Sequence, residues 1–175
     1  MIRQPISIRS ILCAFGLSLT FTGSIQAERP VTTEFINATS GKVIDQRGDR
    51  LPAFYGKAGA PPSALVPAGT AWKARWQTML KVPAKDEYQF ELRGSGSAGL
   101  SVSSQDLLTT MNKVSEPIAL AAGVHNISIT FTPAEKGIAQ LRWFWKSSAF
   151  GWEPVPSRAL VRSLVVKGEQ VAPSV

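Results

Sequence analysis

Histidine and cysteine are almost absent from this chain of 175 residues; each occurs once, as His125 and Cys13. A cysteine or cysteine/histidine metal centre is thereby excluded, and so is a disulfide framework, because each needs several such residues. A serine-histidine triad would rest on His125 alone, and no G-x-S-x-G elbow accompanies it. No C-x-x-C-H haem site occurs either. Charge is sparse, at 18% of residues, with 19 Lys and Arg against 12 Asp and Glu. The basic residues are spread from Arg3 to Lys167 without a like-charge run. That distribution argues against a nucleic-acid partner and leaves attraction to anionic envelope polymers or acidic glycans as a weak, salt-dependent effect. What the chain does have is apolar content, 44% of residues. It is long enough for one domain with a proper core and too apolar to be disordered.

Residues 1–27 have the layout of a secretory signal peptide. Arg3 and Arg9 come first without any acid, an apolar run follows from Ile11 to Phe21, and small and polar residues end at Ala27. The run is well short of the roughly 20 residues that span a bilayer as a helix. Retention as a membrane anchor is the alternative, because Ile25 is bulkier than the residue usual at that position before a cleavage site. Removal of the segment takes the lone cysteine with it, so the exported domain would rely on core packing alone. The expected location is therefore periplasmic, cell-surface or extracellular, with no stable membrane span once the signal is gone.

Residues 28–70 are rich in Gly, Pro, Ser and Thr, and predict one or two short strands among long loops. Order improves at Ala71. Trp72, Ala74, Trp76, Thr78 and Leu80 alternate with polar residues, and after a turn at Pro83 to Glu87 so do Tyr88, Phe90 and Leu92. These two strands read as a hairpin. The run Gly94 to Gly99 is too small-sided to pack and reads as a loop, followed by a short strand at Leu100 and Val102. Ile127, Ile129 and Phe131 mark another strand, as do Ala139, Leu141, Trp143 and Trp145. A core reaching to about residue 162, then a tail over residues 163–175 with one strand at Ser163 to Lys167, completes a single all-β domain, an antiparallel sandwich or barrel.

Trp72-Lys73-Ala74-Arg75-Trp76, then Leu80-Lys81-Val82-Pro83, then Tyr88-Gln89-Phe90-Glu91-Leu92 resembles the strand pair typical of the PA-fourteen domain, the β-rich module named after anthrax protective antigen. Leu120 to Ile127 is similar to that family's turn into a strand, and Gly137 to Trp143 to its closing strand. Gly151-Trp152-Glu153-Pro154-Val155-Pro156 resembles the variant found in exported bacterial proteins. The resemblance covers about Trp72 to Leu160 and implies a β-sandwich. In sugar-binding members, paired aspartates after the second strand hold a calcium ion that coordinates carbohydrate hydroxyls. Calcium needs roughly six to eight oxygen ligands. Here that position carries Arg93-Gly94-Ser95-Gly96-Ser97-Ala98-Gly99, and Asp106 follows alone. No cofactor is therefore expected; calcium is the one the resemblance would bring, and its usual aspartates are missing.

Trp72, Trp76 and Trp143 alternate as core residues do. Phe144, Trp145, Phe150 and Trp152 form either an exposed stacking platform for sugar rings or a lid over the open end of the sandwich. Asp86, Glu87 and Glu91 are the closest acids, but nothing sets them apart as a glycosidase pair. Glu153 suggests an ion pair with Arg142 or Arg158, and Arg47-Gly48-Asp49 reads as an ordinary loop. The expected function is a non-catalytic, exported module that binds carbohydrate or another envelope component. Arg93, Gln105 and Asp106 would supply polar contacts around the glycine-rich loop, and Trp145 and Trp152 the stacking. The alternative is an assembly module docking an envelope protein through its aromatic C-terminal segment.

Overall fold

The structure, a computed structural model, describes residues 29–162. The expected signal segment and the expected strand at Ser163 to Lys167 lie outside the described residues. In chain order the strands are β1 (Val31–Asn37), β2 (Val43–Asp49), β3 (Phe54–Lys57), β4 (Trp72–Val82), β5 (Asp86–Val102) and β6 (Gln105–Leu108). They continue with β7 (Ile118–Leu120), β8 (Gly123–Pro133), β9 (Ile138–Ser147), β10 (Phe150–Pro154) and β11 (Leu160–Val161). Every pairing is antiparallel. The stretch before Trp72 holds three strands rather than one or two, and β1 is an interior strand between β2 and β4.

The hydrogen-bonded order β10-β9-β5-β8-β4-β1-β2 folds into two layers because β5 belongs to both. Its first half, Tyr88 to Ser95, pairs with β9, and its second half, Gly96 to Val102, pairs with β8. The expected loop at Gly94 to Gly99 is thus the bend of one continuous 17-residue strand. Gly94 and Gly96 have φ of +145° and +126°, a region L side chains rarely adopt. A Cβ on Gly94 would run into the Gln140 carbonyl, and one on Gly96 would lie 2.5 Å from that of Thr132. The small residues are there because the backbone turns a corner against its neighbours.

The expected hairpin of β4 and β5 does not form. β4 pairs with β1, β8 and β11, while β5 crosses to the opposite layer, with the Tyr88 hydroxyl donating to the Ala84 carbonyl at 2.9 Å across the connection. The alternation read along each strand nevertheless holds: Trp72, Ala74, Trp76, Thr78, Leu80 and Val82 are all buried. One aromatic group, Phe35, Phe54, Trp72, Trp76 and Phe131, fills one end of the interior. Tyr88, Phe90, Trp143, Trp145 and Phe150 fill the other. Each fully buried ring among them contributes about 1.5–3 kcal/mol, while Phe54 and Phe150 are partly buried against the core. Phe35 and Ile36 are both buried although adjacent, and β2 bulges beside them at Ile44, whereas the register of β1 with β4 runs on unbroken.

Candidate binding site

The layer built from β3, β9, β10 and the first half of β5 exposes an outer face determined by strand alternation. Since Leu141, Trp143 and Trp145 point inward, Gln140, Arg142, Phe144 and Lys146 point outward. Directly opposite them on β5 lie Ser95, Arg93, Glu91 and Gln89. The Arg93 guanidinium sits 4.1 Å from the Phe144 ring centre and 5.8 Å from that of Trp152. The Lys146 ammonium lies 5.3 Å from the Trp152 ring centre. Contacts of this kind contribute roughly 0.5–1 kcal/mol at exposed sites and hold both rings in fixed attitudes. Glu91 accepts a hydrogen bond from Arg93 Nε at 2.8 Å and forms an ion pair with its guanidinium at 2.7 Å, and this partner raises the guanidinium's pKa further.

Beside Lys146 the face dips into a pocket of about 250 Å³, lined by Asp86, Glu87, Gln89, Pro117, Lys146, Ser147 and Ser148. Asp86 accepts from the Ser148 hydroxyl at 2.8 and 2.9 Å and from its backbone N–H at 3.1 Å. The hydroxyl first, and then the Glu87 N–H, hold the Asp86 carboxyl below the usual carboxylate range. Gln89 donates to the Ser115 carbonyl at 3.0 Å.

The other layer presents a different outer face. A shallow groove of about 320 Å³ runs between the second half of β5 and β8, lined with hydroxyls from Ser97, Ser101, Thr109, Ser128, Thr130 and Thr132. Asp106 reaches it and accepts a bond from Ser101 at 2.5 Å. Gln105 is exposed beside it, at a tight turn between β5 and β6 where Ser103 and Ser104 have positive φ.

The five residues singled out in the sequence therefore separate. Arg93 and Trp152 meet on one face, Gln105 and Asp106 belong to the other, and Trp145 faces neither. Trp145 is only 4% exposed; its ring packs between Tyr88 and Phe150, and its Nε1 donates to Glu153 Oε1 at 3.1 Å. It therefore offers no stacking surface, and Glu153 serves as its hydrogen-bond partner rather than as half of an ion pair with Arg142 or Arg158. The aromatic cluster thus divides across the sheet: on β9 strand parity packs Trp145 inside and leaves Phe144 outside, while on β10 a register shift between Phe150 and Glu153 lets Phe150 pack against Tyr88 and Trp145 and leaves Trp152 on the outer face. Phe144 was named in the sequence only as part of the aromatic cluster and Lys146 was not singled out, although the inward alternation of Trp143 and Trp145 already placed both outward.

The donor set at the bend of β5 does not suit calcium. Its side chains are serine hydroxyls, Asp106 is the one carboxylate lining the groove, and among the described residues no three His, Cys, Asp or Glu side chains stand together. His125 Nε2 lies 2.9 Å from the Ala121 carbonyl and its Nδ1 3.4 Å from the Ser103 hydroxyl, a long contact with no carboxylate behind it. The Arg47-Gly48-Asp49 triplet lies in β2, its charges paired with each other at 3.3 Å and Asp49 also holding the Thr33 hydroxyl at 2.7 Å. No helix among the described residues is long and apolar enough to cross a membrane.

No curated protein matches the chain in sequence. Among solved structures, the fold is similar to that of an anti-sigma factor domain-containing protein from Clostridium clariflavum, with TM-score 0.67 and 16% identity over 84% of this chain and 50% of that one. The chain thus spans about half the length of that protein. It is also similar to a PA14 sugar-binding domain from an RTX adhesin, with TM-score 0.62 and 13% identity over 78% of this chain and 100% of that one. The A domain of epithelial adhesin 6 from Candida glabrata, solved in complex with Galβ1-3GlcNAc, superposes with TM-score 0.52 and 10% identity over 73% of this chain and 83% of that one. At such identities these likenesses show the fold alone. A profile of the PA14 domain, however, matches residues 31–148, the whole run from β1 through β9 and more than half of the sequence, and the chain belongs to the PA14 domain family.

Proposed function

We propose that this protein is an exported, non-catalytic module that binds carbohydrate on the outer face formed by β5, β9 and β10. The observation that carries this reading is Trp152, a half-buried indole on an outer sheet face, flanked by Arg93 and Lys146. A flat apolar ring complements the C–H face of a pyranose, and cationic and amide donors around it complement its hydroxyls. Gln89 and the pocket beside Lys146 provide the concavity. Family membership supports the reading, as do the sugar-binding function in the name of the RTX adhesin domain and the disaccharide in the epithelial adhesin complex. All donors on this face are organic side chains, so binding on this reading is independent of metal. Glu91 is committed to Arg93 and Asp86 to Ser148, an arrangement that serves to shape a surface rather than to place an acid and a base across a glycosidic bond.

A glycan-array screen of the purified protein, in calcium and then in chelator, tests this. Binding that survives chelation, falls at least about tenfold in Trp152→Ala and persists in Asp106→Ala is expected. Loss in Asp106→Ala with retention in Trp152→Ala would move the site to the hydroxyl-lined groove. No binding to any glycan would sink the reading and favour docking of an envelope protein through the aromatic C-terminal segment.

A further inference from the structure

Beyond the Trp152 site, the same sheet face continues along β9 to the far edge of the layer, where β3 lies. Tyr55 is 74% exposed and sits directly opposite Gln140, and Lys57 sits opposite Ile138, both on the outer side. From Tyr55 to Trp152 the face spans about six residues of β9, roughly 20 Å. Three aromatic rings, Tyr55, Phe144 and Trp152, are distributed along it, interleaved with the cations Lys57, Arg93, Arg142 and Lys146. Against these four, the one acid within the strip is Glu91. Arg93 and Arg142 are directly opposed across the β5-β9 ladder, a like-charge pair that costs stability. Glu91 relieves it on one side only. Among the described residues, Lys57, Arg142 and Lys146 have no acidic partner within ion-pair distance. A sheet that needed only a solvated face would intersperse acids here.

We infer that this strip binds a linear acidic polysaccharide, its sugar rings lying on Tyr55, Phe144 and Trp152 and its anionic groups meeting Lys57, Arg142, Arg93 and Lys146. The inference rests on the carbohydrate reading above and names the class of glycan. The strip ends at the pocket of Asp86 and Glu87, whose carboxylates repel an anionic chain and set the register in which it stops. Carboxylates of uronic acids and sulfate esters would satisfy the same cations. Spacing alone favours neither.

Polygalacturonate, dextran sulfate and neutral dextran, titrated against the purified full chain at low and at raised salt, separate these ligands. Binding to one or both polyanions, weakened by salt and absent with dextran, is expected. The double variant Lys57→Glu/Arg142→Glu should weaken it by about tenfold or more, while Lys73→Glu/Lys81→Glu, the same change of net charge on the outer face of β4, should alter it by less than about twofold. Melting temperatures of both variants check that each remains folded. Equal losses in the two double variants would reduce the effect to net charge and overturn the inference. Salt-insensitive, Trp152-dependent binding of a neutral glycan would overturn the acidic class and keep the carbohydrate reading. Failure of every polysaccharide, with the array also blank, would overturn both.

Discussion

The two outer faces of this sandwich are built from the same strand, yet they differ in chemistry. Past its bend, β5 contributes Ser97, Gly99 and Ser101 to a face shared with Ser128, Thr130 and Thr132. Short hydroxyl side chains there line a groove in which Asp106 is the one carboxylate. Before the bend, the same strand contributes Gln89, Glu91 and Arg93 to a face shared with Arg142, Phe144 and Lys146, with Trp152 laid over it from β10. Exposed rings cost solvation, and opposed arginines cost electrostatic energy. One face follows what solubility and strand propensity ask for, whereas the other departs from it at several adjacent positions. Local departures of this kind concentrate where a surface has a ligand to meet.

The largest perturbation of this contrast is removal of the bend that separates the two faces. Gly94→Val places a branched side chain at φ +145° and against the Gln140 carbonyl, so both the backbone conformation and the β9 pairing must change. A loss of at least about 3 kcal/mol is expected, read as a collapse of the urea midpoint or failure to fold. Gly137→Ala is the control. That glycine also has positive φ, but a Cβ there meets nothing within 4 Å, and a loss nearer about 1 kcal/mol is expected. Equal losses would mean that φ alone, and not close approach at the bend, sets the requirement.

The bend also shows where reading the sequence succeeded and where it stopped. Period-two alternation located β4, β8 and β9 and their inward tryptophans, because side-chain direction along a strand is a local property. Which strands pair is not local. The turn at Pro83 to Glu87 looks the same whether it closes a hairpin or crosses between layers, so β4 and β5 were joined wrongly. Glycines between two apolar segments read as a loop, and only the neighbouring Gln140 and Thr132 carbonyls reveal that they keep a single strand intact around a corner. The candidate site was half legible for the same reason. Arg93 and Trp152 could be chosen by type, but their meeting depends on β10 folding back over β9. Trp145 was chosen by type as well, against the parity that placed it inside.

Comparing those two tryptophans gives an effect of intermediate size. Trp145→Ala empties a site packed by Tyr88 and Phe150 and leaves Glu153 without its donor, which should cost about 3–5 kcal/mol. Trp152→Ala removes a half-buried ring held mainly by Arg93 and Lys146 and should cost under about 1 kcal/mol while reducing glycan binding. Chemical denaturation of both variants, with intrinsic fluorescence as the signal, distinguishes core from surface. A Trp152→Ala loss as large as that of Trp145→Ala would make the indole a structural lid after all.

The smallest effect concerns the acidic end of the cationic face. Asp86 is held below the ordinary carboxylate range by the Ser148 hydroxyl and then by the Glu87 N–H, with burial opposing weakly. A carboxyl whose pKa is lower in the folded chain than in the unfolded one stabilises the fold fully above the unfolded value of about 4. That contribution fades as pH falls through the folded value. Asp86→Asn removes the charge but keeps the shape, so wild type should melt slightly above the variant near pH 6, and the gap should close as the pH approaches about 2. The bonds involved tie the start of β5 to the turn after β9, next to Lys146, so the same substitution probes whether the pocket's wall depends on its charge. An identical gap at both pH values would show that the amide substitutes poorly for reasons of geometry, and that the carboxylate's charge does not anchor this end of the face.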